Sequence, residues 1–72
     1  MRKKFIGKSD KVTLVNNKVY EVLSVEEGWY RIVSEDGASY LFPPELFVEE
    51  DEEGYIDMTV ADYVQEHLGG AD

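Results

Sequence analysis

The sequence predicts a mainly β domain, a small barrel or orthogonal sandwich of five or six short strands followed by one short C-terminal α-helix. Three observations predict it. Runs rich in β-branched and aromatic residues recur between turn residues at close spacing, which is the pattern of a β-meander. Counted with a period of two, these runs are apolar on both faces, so one face makes a core and part of the other is covered or binds something. After Val48 the pattern changes to an acidic run and then to apolar residues at helical spacing.

In chain order, Lys3 to Ile6 and Val12 to Val15 read as short strands, with Asn16-Asn17 as the turn that follows. Val19 to Val25 reads as one strand, with Tyr20 and Val22 on one face and Leu23 and Val25 on the other. It ends at Glu26-Glu27-Gly28, and Trp29 to Val33 follows as its hairpin partner. Asp36-Gly37 then marks a second hairpin turn into Ala38 to Phe42. Neither Pro43 nor Pro44 can donate to a ladder, so that strand stops there. One turn built on Pro44-Glu45 leads to a closing strand, Leu46 to Val48. Residues 1–50 are thus read as the barrel, 51–58 as an acidic linker, and 59–69 as a helix packed on the barrel or on a partner. Thr59 and Asp62 stand at N-cap and N3 spacing, Val60, Tyr63, Val64 and His67 share a face, and Gly69-Gly70 ends the helix. So short a helix is not stable alone and must dock its Val60/Val64/Leu68 side.

Composition narrows the function classes. The chain has 72 residues, a net charge of −9 and no cysteine, so disulfides, thiolate nucleophiles and Cys-based zinc sites are excluded. A single His67 builds no histidine-rich metal site, and no cofactor is expected. No apolar run approaches the roughly 20 residues of a membrane span, and the expected compartment is the cytoplasm. Residues 1–18 carry six of the seven cations and sum to +5, whereas the remaining 54 residues sum to −14. Such a surface repels phosphate, so direct nucleic-acid binding is disfavoured.

The segments Lys18-Val19-Tyr20-Glu21-Val22-Leu23, Glu27-Gly28-Trp29-Tyr30-Arg31-Ile32 and Leu41-Phe42-Pro43-Pro44-Glu45-Leu46-Phe47-Val48 together resemble the SH3-like barrel, over residues 18–50. The chain also looks like the small SH3-like proteins of bacterial and phage genomes. The resemblance implies a small five- or six-stranded SH3-like barrel that binds a protein or peptide. Trp29 matches the first aromatic of the family's groove, Pro43 or Pro44 its proline, with the spacing to the aromatic holding for Pro44, and Phe47 its tyrosine, without the hydroxyl. Phe5 to Leu14 departs from the family's Ala-Leu-Tyr-Asp-Tyr-like segment. On this reading Trp29, Tyr40, Pro44 and Phe47 form the contact, with nearby acids selecting basic ligands.

Catalysis finds little support. The serines have no elbow motif, the only His lies in the helix, and the glycines form no phosphate loop. His67 reads as a favourable partner of the helix C-terminus. Glu49 to Glu53 lack the ligand spacing of a Ca²⁺ loop and read as a solvated run. Two alternatives stand beside the interaction module. In one, an acidic phage-type inhibitor or nucleic-acid mimic presents Glu49, Glu50, Asp51, Glu52, Glu53 and Asp57 to a basic protein surface. In the other, the helix from Thr59 to Leu68 packs a structural homodimer.

Overall fold

A computed structural model of the chain describes residues 1–10 and 13–69. Its strands are β1 (Arg2–Phe5), β2 (Val19–Glu21), β3 (Ser24–Glu26), β4 (Trp29–Val33), β5 (Ser39–Phe42) and β6 (Phe47–Glu49). They form two three-stranded antiparallel sheets, ordered β2-β1-β6 and β3-β4-β5. Among the described residues no ladder joins the sheets into a closed barrel. One 3₁₀ turn (Pro44–Leu46) leads into β6, and the helix α1 (Val60–Val64) ends in a wider π-type turn over Gln65–Gly69.

The apolar run from Val19 to Val25 does not form one strand. Val22 N–H donates to the Met1 carbonyl at 2.7 Å in the first sheet, and Leu23 N–H donates to the Arg31 carbonyl at 2.8 Å in the second. Ser24 is also the register partner of Arg31, so two residues stand against one, as in a β-bulge. The bend lets one run serve both sheets. Tyr20 and Val22 are buried, whereas Leu23 and Val25 are 56% and 52% exposed.

Both hairpins are set by their turns. Glu27 and Gly28 take φ of 53° and 83°, the left-handed pair that a two-residue turn between right-twisted strands requires. In the other hairpin, Gly37 N–H donates to the Ser34 carbonyl at 3.0 Å and Ser34 N–H to the Ala38 carbonyl at 2.9 Å. Gly37 has φ 90° there, so a three-residue loop with a glycine bulge joins β4 to β5, and Ala38 belongs to the bulge.

Phe5, Leu14, Tyr20, Val22, Ile32, Phe42, Leu46, Phe47, Val60 and Tyr63 form the core between the sheets. Leu14 corrects the strand expected from Val12 to Val15: Thr13 to Val15 are irregular, although Leu14 is fully buried. Among the described residues no strand ladder takes up this backbone. Its bonds go to Asp10 N–H at 2.9 Å from the Leu14 carbonyl and to the Tyr20 hydroxyl at 2.8 Å from Val15 N–H. Val12, Gly70 and the Leu68 side chain lie outside the described residues.

The helix docks on the chain's own core. Thr59 and Asp62 complete the capping box, Val60 and Tyr63 are buried, and Val64 packs against the same cluster. Of the face expected to dock, Val60 is thus buried and Val64 partly buried against the chain's own core. His67 stacks on Tyr63 with ring centroids 4.0 Å apart, its Nδ1 3.1 Å from the Tyr63 carbonyl near the helix end.

Residues 51–58 are exposed along most of their length, yet they do not hang free. Ile56 N–H donates to the Ile6 carbonyl at 2.8 Å, and Lys8 N–H to the Met58 carbonyl at 2.7 Å. Gly7 permits this approach: a Cβ there would stand 2.7 Å from Phe5 Cζ and 3.0 Å from the Met58 oxygen. Gly7→Ala is accordingly expected to destabilise the domain by about 1–3 kcal/mol through overpacking. A urea titration reads this as a lowered midpoint, and an unchanged midpoint would contradict the tight crossing.

Candidate functional site

The two hairpin turns determine which side chains share a face. Glu26 opposite Trp29, Ser24 opposite Arg31, Leu41 opposite Arg31 and Ser39 opposite Val33 all project to the outer side of the second sheet. Ile32 and Phe42 project inward and are buried. The outer face thus carries Trp29, half-buried, with Val33 and Leu41, which are 45% and 37% exposed. Large exposed apolar residues gathered on one sheet face mark interaction surfaces more often than scattered ones do.

Arg31 crosses the middle of this face. Its Nε and Nη2 donate to the two carboxylate oxygens of Glu26 at 2.6 and 3.1 Å, and Nη1 reaches Ser39 Oγ at 3.2 Å. Ser24 Oγ donates to the same carboxylate at 2.7 Å. The Arg31 guanidinium, aided by Ser24, holds the Glu26 carboxyl down at about 2, so the pair stays charged at any ordinary pH. Glu27 differs. Its side chain is exposed, no ion pair reaches it among the described residues, and its backbone sits at a positive φ that a non-glycine residue adopts only at a cost. Glu26, Glu27, Trp29 and Leu41 line a shallow groove of about 380 Å³.

The expected contact of Trp29, Tyr40, Pro44 and Phe47 is not assembled as one surface. Phe47 is only 7% exposed, its ring packed between Phe5 and Tyr30 at 5.5 Å from each. Register puts Tyr40 on the same side as Ile32, opposite to Trp29. Tyr40 remains 44% exposed because β5 is an edge strand, and its hydroxyl donates to Asp36 at 2.8 Å. Pro44 is half-buried at the start of the 3₁₀ turn, and Pro43 is fully buried. Leu41, Val33 and Glu27 take their place around Trp29. A register count from the two turns would have found them, since Glu27-Gly28 and Asp36-Gly37 together decide which residues oppose which.

The acidic residues are not a free surface either. Lys3 Nζ lies 2.5 Å from Glu49, Arg2 3.6 Å from Glu50 and Lys8 3.5 Å from Asp57. Lys4 Nζ donates to the Glu52 carbonyl at 2.8 Å, and the Glu52 carboxylate accepts Glu49 N–H at 3.1 Å. Of the run, Asp51 and Glu53 are exposed with no ion pair among the described residues. The N-terminal cations and the acidic run, far apart in sequence, are one electrostatic unit. That leaves fewer carboxylates to offer a basic groove than the composition suggests.

Two further concavities, about 420 and 590 Å³, are lined by Asp57, Met58, Asp62, Gln65 and Glu66, and by Lys4, Asn17, Glu53, Gly54 and Tyr55. Neither has an apolar wall comparable to Trp29 with Leu41. Among the described residues no group of three or more His, Asp or Glu is placed to hold a metal ion, and no helix is long and apolar enough to cross a membrane. No family model, curated protein or solved structure matches the chain.

Proposed function

We propose that this chain is a non-enzymatic SH3-like interaction module whose contact is the outer face of the second sheet, centred on Trp29. The observation that carries the reading is the groove of Trp29 and Leu41 beside the Glu27 carboxylate, which no ion pair reaches among the described residues. An apolar wall next to an uncompensated negative charge suits a protein or peptide that presents an apolar side chain together with Lys or Arg, and the Trp ring face adds cation–π attraction. The SH3-like reading is supported by the two antiparallel three-stranded sheets, with β2 and β3 as the halves of one bent run. Glu27 keeps its carboxylate at a left-handed turn position that Asn or Gly would occupy more comfortably, which supports a contact role for that side chain.

Affinity capture with the purified protein as bait tests the reading. Trp29→Ala is expected to lose its captured proteins at least tenfold with an unchanged urea midpoint, because Trp29 is half-exposed and outside the core. Neutralising Asp51 and Glu53 is expected to change little. Retained capture by Trp29→Ala, or its global unfolding, overturns the reading. Loss of capture on neutralising the acidic run instead would favour the inhibitor or mimic.

A further inference from the structure

Each sheet has two edge strands, and they differ in how their outward main-chain groups are treated. On β6, Phe47 N–H donates to the Pro44 carbonyl, Glu49 N–H to the Glu52 carboxylate at 3.1 Å, and Glu52 N–H to the Glu49 carbonyl at 2.9 Å. β3 is bulged at Leu23-Ser24 and ends at the charged Glu26. β2 spans only three residues and ends at the charged Glu21. Short length, bulges, charges and local capping are the usual protections of an edge. β5, Ser39-Tyr40-Leu41-Phe42, carries no charged residue and no bulge between its ends.

The direction of its free groups follows from the turn. Ser34 N–H donates to the Ala38 carbonyl, so those two form a hydrogen-bonded pair, and by alternation Tyr40 with Ile32 and Phe42 with Tyr30 do too. Ser39 and Leu41 occupy the non-bonded pairs, and their N–H and C=O groups point away from β4 with no partner among the described residues. Both residues are exposed. At the two ends of the strand stand Asp36 and Glu45, neither in an ion pair with a cation among the described residues.

We propose that β5 accepts an extended segment of a partner protein as a fourth strand, a segment of alternating apolar residues flanked on both sides by Lys or Arg. This rests on the reading of the second sheet as the contact surface and names the way in which its partner binds. Main-chain bonds to Ser39 and Leu41 hold the segment, its side chains extend the apolar face next to Leu41, and its flanking cations meet Asp36 and Glu45. A second copy of this chain fits worse. Antiparallel pairing of two β5 strands would set the Asp36 end of one against the Glu45 end of the other, between chains that each carry a net charge of −9.

The probe is a fluorescein-labelled nonapeptide of alternating Val and Thr with two lysines at each end, compared with the same peptide N-methylated throughout its Val/Thr part. Anisotropy is expected to show binding that N-methylation weakens at least tenfold. Hydrogen exchange on the wild-type protein is expected to show protection gained at the Ser39 and Leu41 amides and not at Tyr40 or Phe42. Ser39→Pro removes an outward N–H while sparing the ladder to β4, and is expected to weaken binding at least tenfold. Absent binding, equal binding of both peptides, or protection confined to other amides overturns the proposal, as does a dimer formed through β5 without peptide. If Ser39→Pro binds as wild type while Trp29→Ala does not, strand addition fails and the contact surface around Trp29 stands. The reverse pattern leaves strand addition standing and removes Trp29 from the contact.

Discussion

Phe5→Ala is expected to destabilise the domain by about 3–5 kcal/mol. At roughly 0.05–0.15 kcal/mol per residue, a chain of 72 residues has about 4–11 kcal/mol in all, so this one truncation removes a large share of it. Phe5 is completely buried, its ring packs on Phe47 at 5.5 Å, and its strand is the middle one of the first sheet. Its N–H donates to the Lys18 carbonyl at 3.0 Å, and its carbonyl accepts Asn17 N–H at 2.7 Å, so the backbone cannot move in to fill the space. In a urea titration the midpoint of the variant should fall by a large fraction of its wild-type value, with Phe5→Leu recovering much of the loss. A cost below about 1 kcal/mol, well under the range for such truncations, would show that the two sheets do not share one core.

The second large effect is alkaline. Tyr20 is 7% exposed, and its hydroxyl accepts Val15 N–H at 2.8 Å and donates to Glu35 at 2.7 Å. Lys18 reaches the same carboxylate at 2.7 Å. Burial, with the hydrogen bond to Glu35 second, pushes the Tyr20 phenol up to about 12. A phenol raised above its unfolded value near 10 stabilises the fold fully below that pH, and the contribution disappears as pH rises through 12. The loss is about 1.4 kcal/mol by pH 11 and approaches 2–3 kcal/mol beyond 12. Lys3, raised chiefly by its bond to Glu49, acts in the same direction, as does Tyr63, raised by burial and then by Glu45. Urea midpoints at pH 8 and pH 11 test this. Tyr20→Phe is expected to cost about 1–3 kcal/mol at pH 8, and to lose about 1.4 kcal/mol less than wild type between the two pH values. Parallel profiles for both proteins would contradict a titrating Tyr20.

Those features were legible in the sequence to different degrees, for physical reasons. Gly28, Asp36-Gly37, Pro43-Pro44 and the Thr59/Asp62 box act within a few residues of themselves, so their turns and cap stand where the residues alone put them. The bend between β2 and β3 carries no Gly or Pro. It is imposed by two sheets competing for one run, a tertiary effect that local propensity does not record. Leu14 fills the core from irregular backbone, held by a hydroxyl six residues further on. The acidic run reads as solvated and is indeed exposed, but its pairing with Arg2, Lys3 and Lys8 depends on β1 lying beside β6. Trp29 lines a surface groove, but its neighbours there were not legible, because fold-level likeness placed Phe47 at a surface that register gives to Leu41.

The central place of β1 also has a kinetic meaning. One neighbour, β2, follows closely in the chain, while Lys3 and its partner Glu49 in β6 are 46 residues apart. Closing so long a loop adds little to the equilibrium cost yet slows assembly, since distant pairings form late. Until β6 arrives, as on a chain still emerging from the ribosome, β1 presents a bare edge next to Phe5, the kind of segment that aggregates. Arg2, Lys3 and Lys4 on that strand are charges of the kind that hold other strands off an open edge, and in the finished sheet Lys3 and Arg2 pair with Glu49 and Glu50.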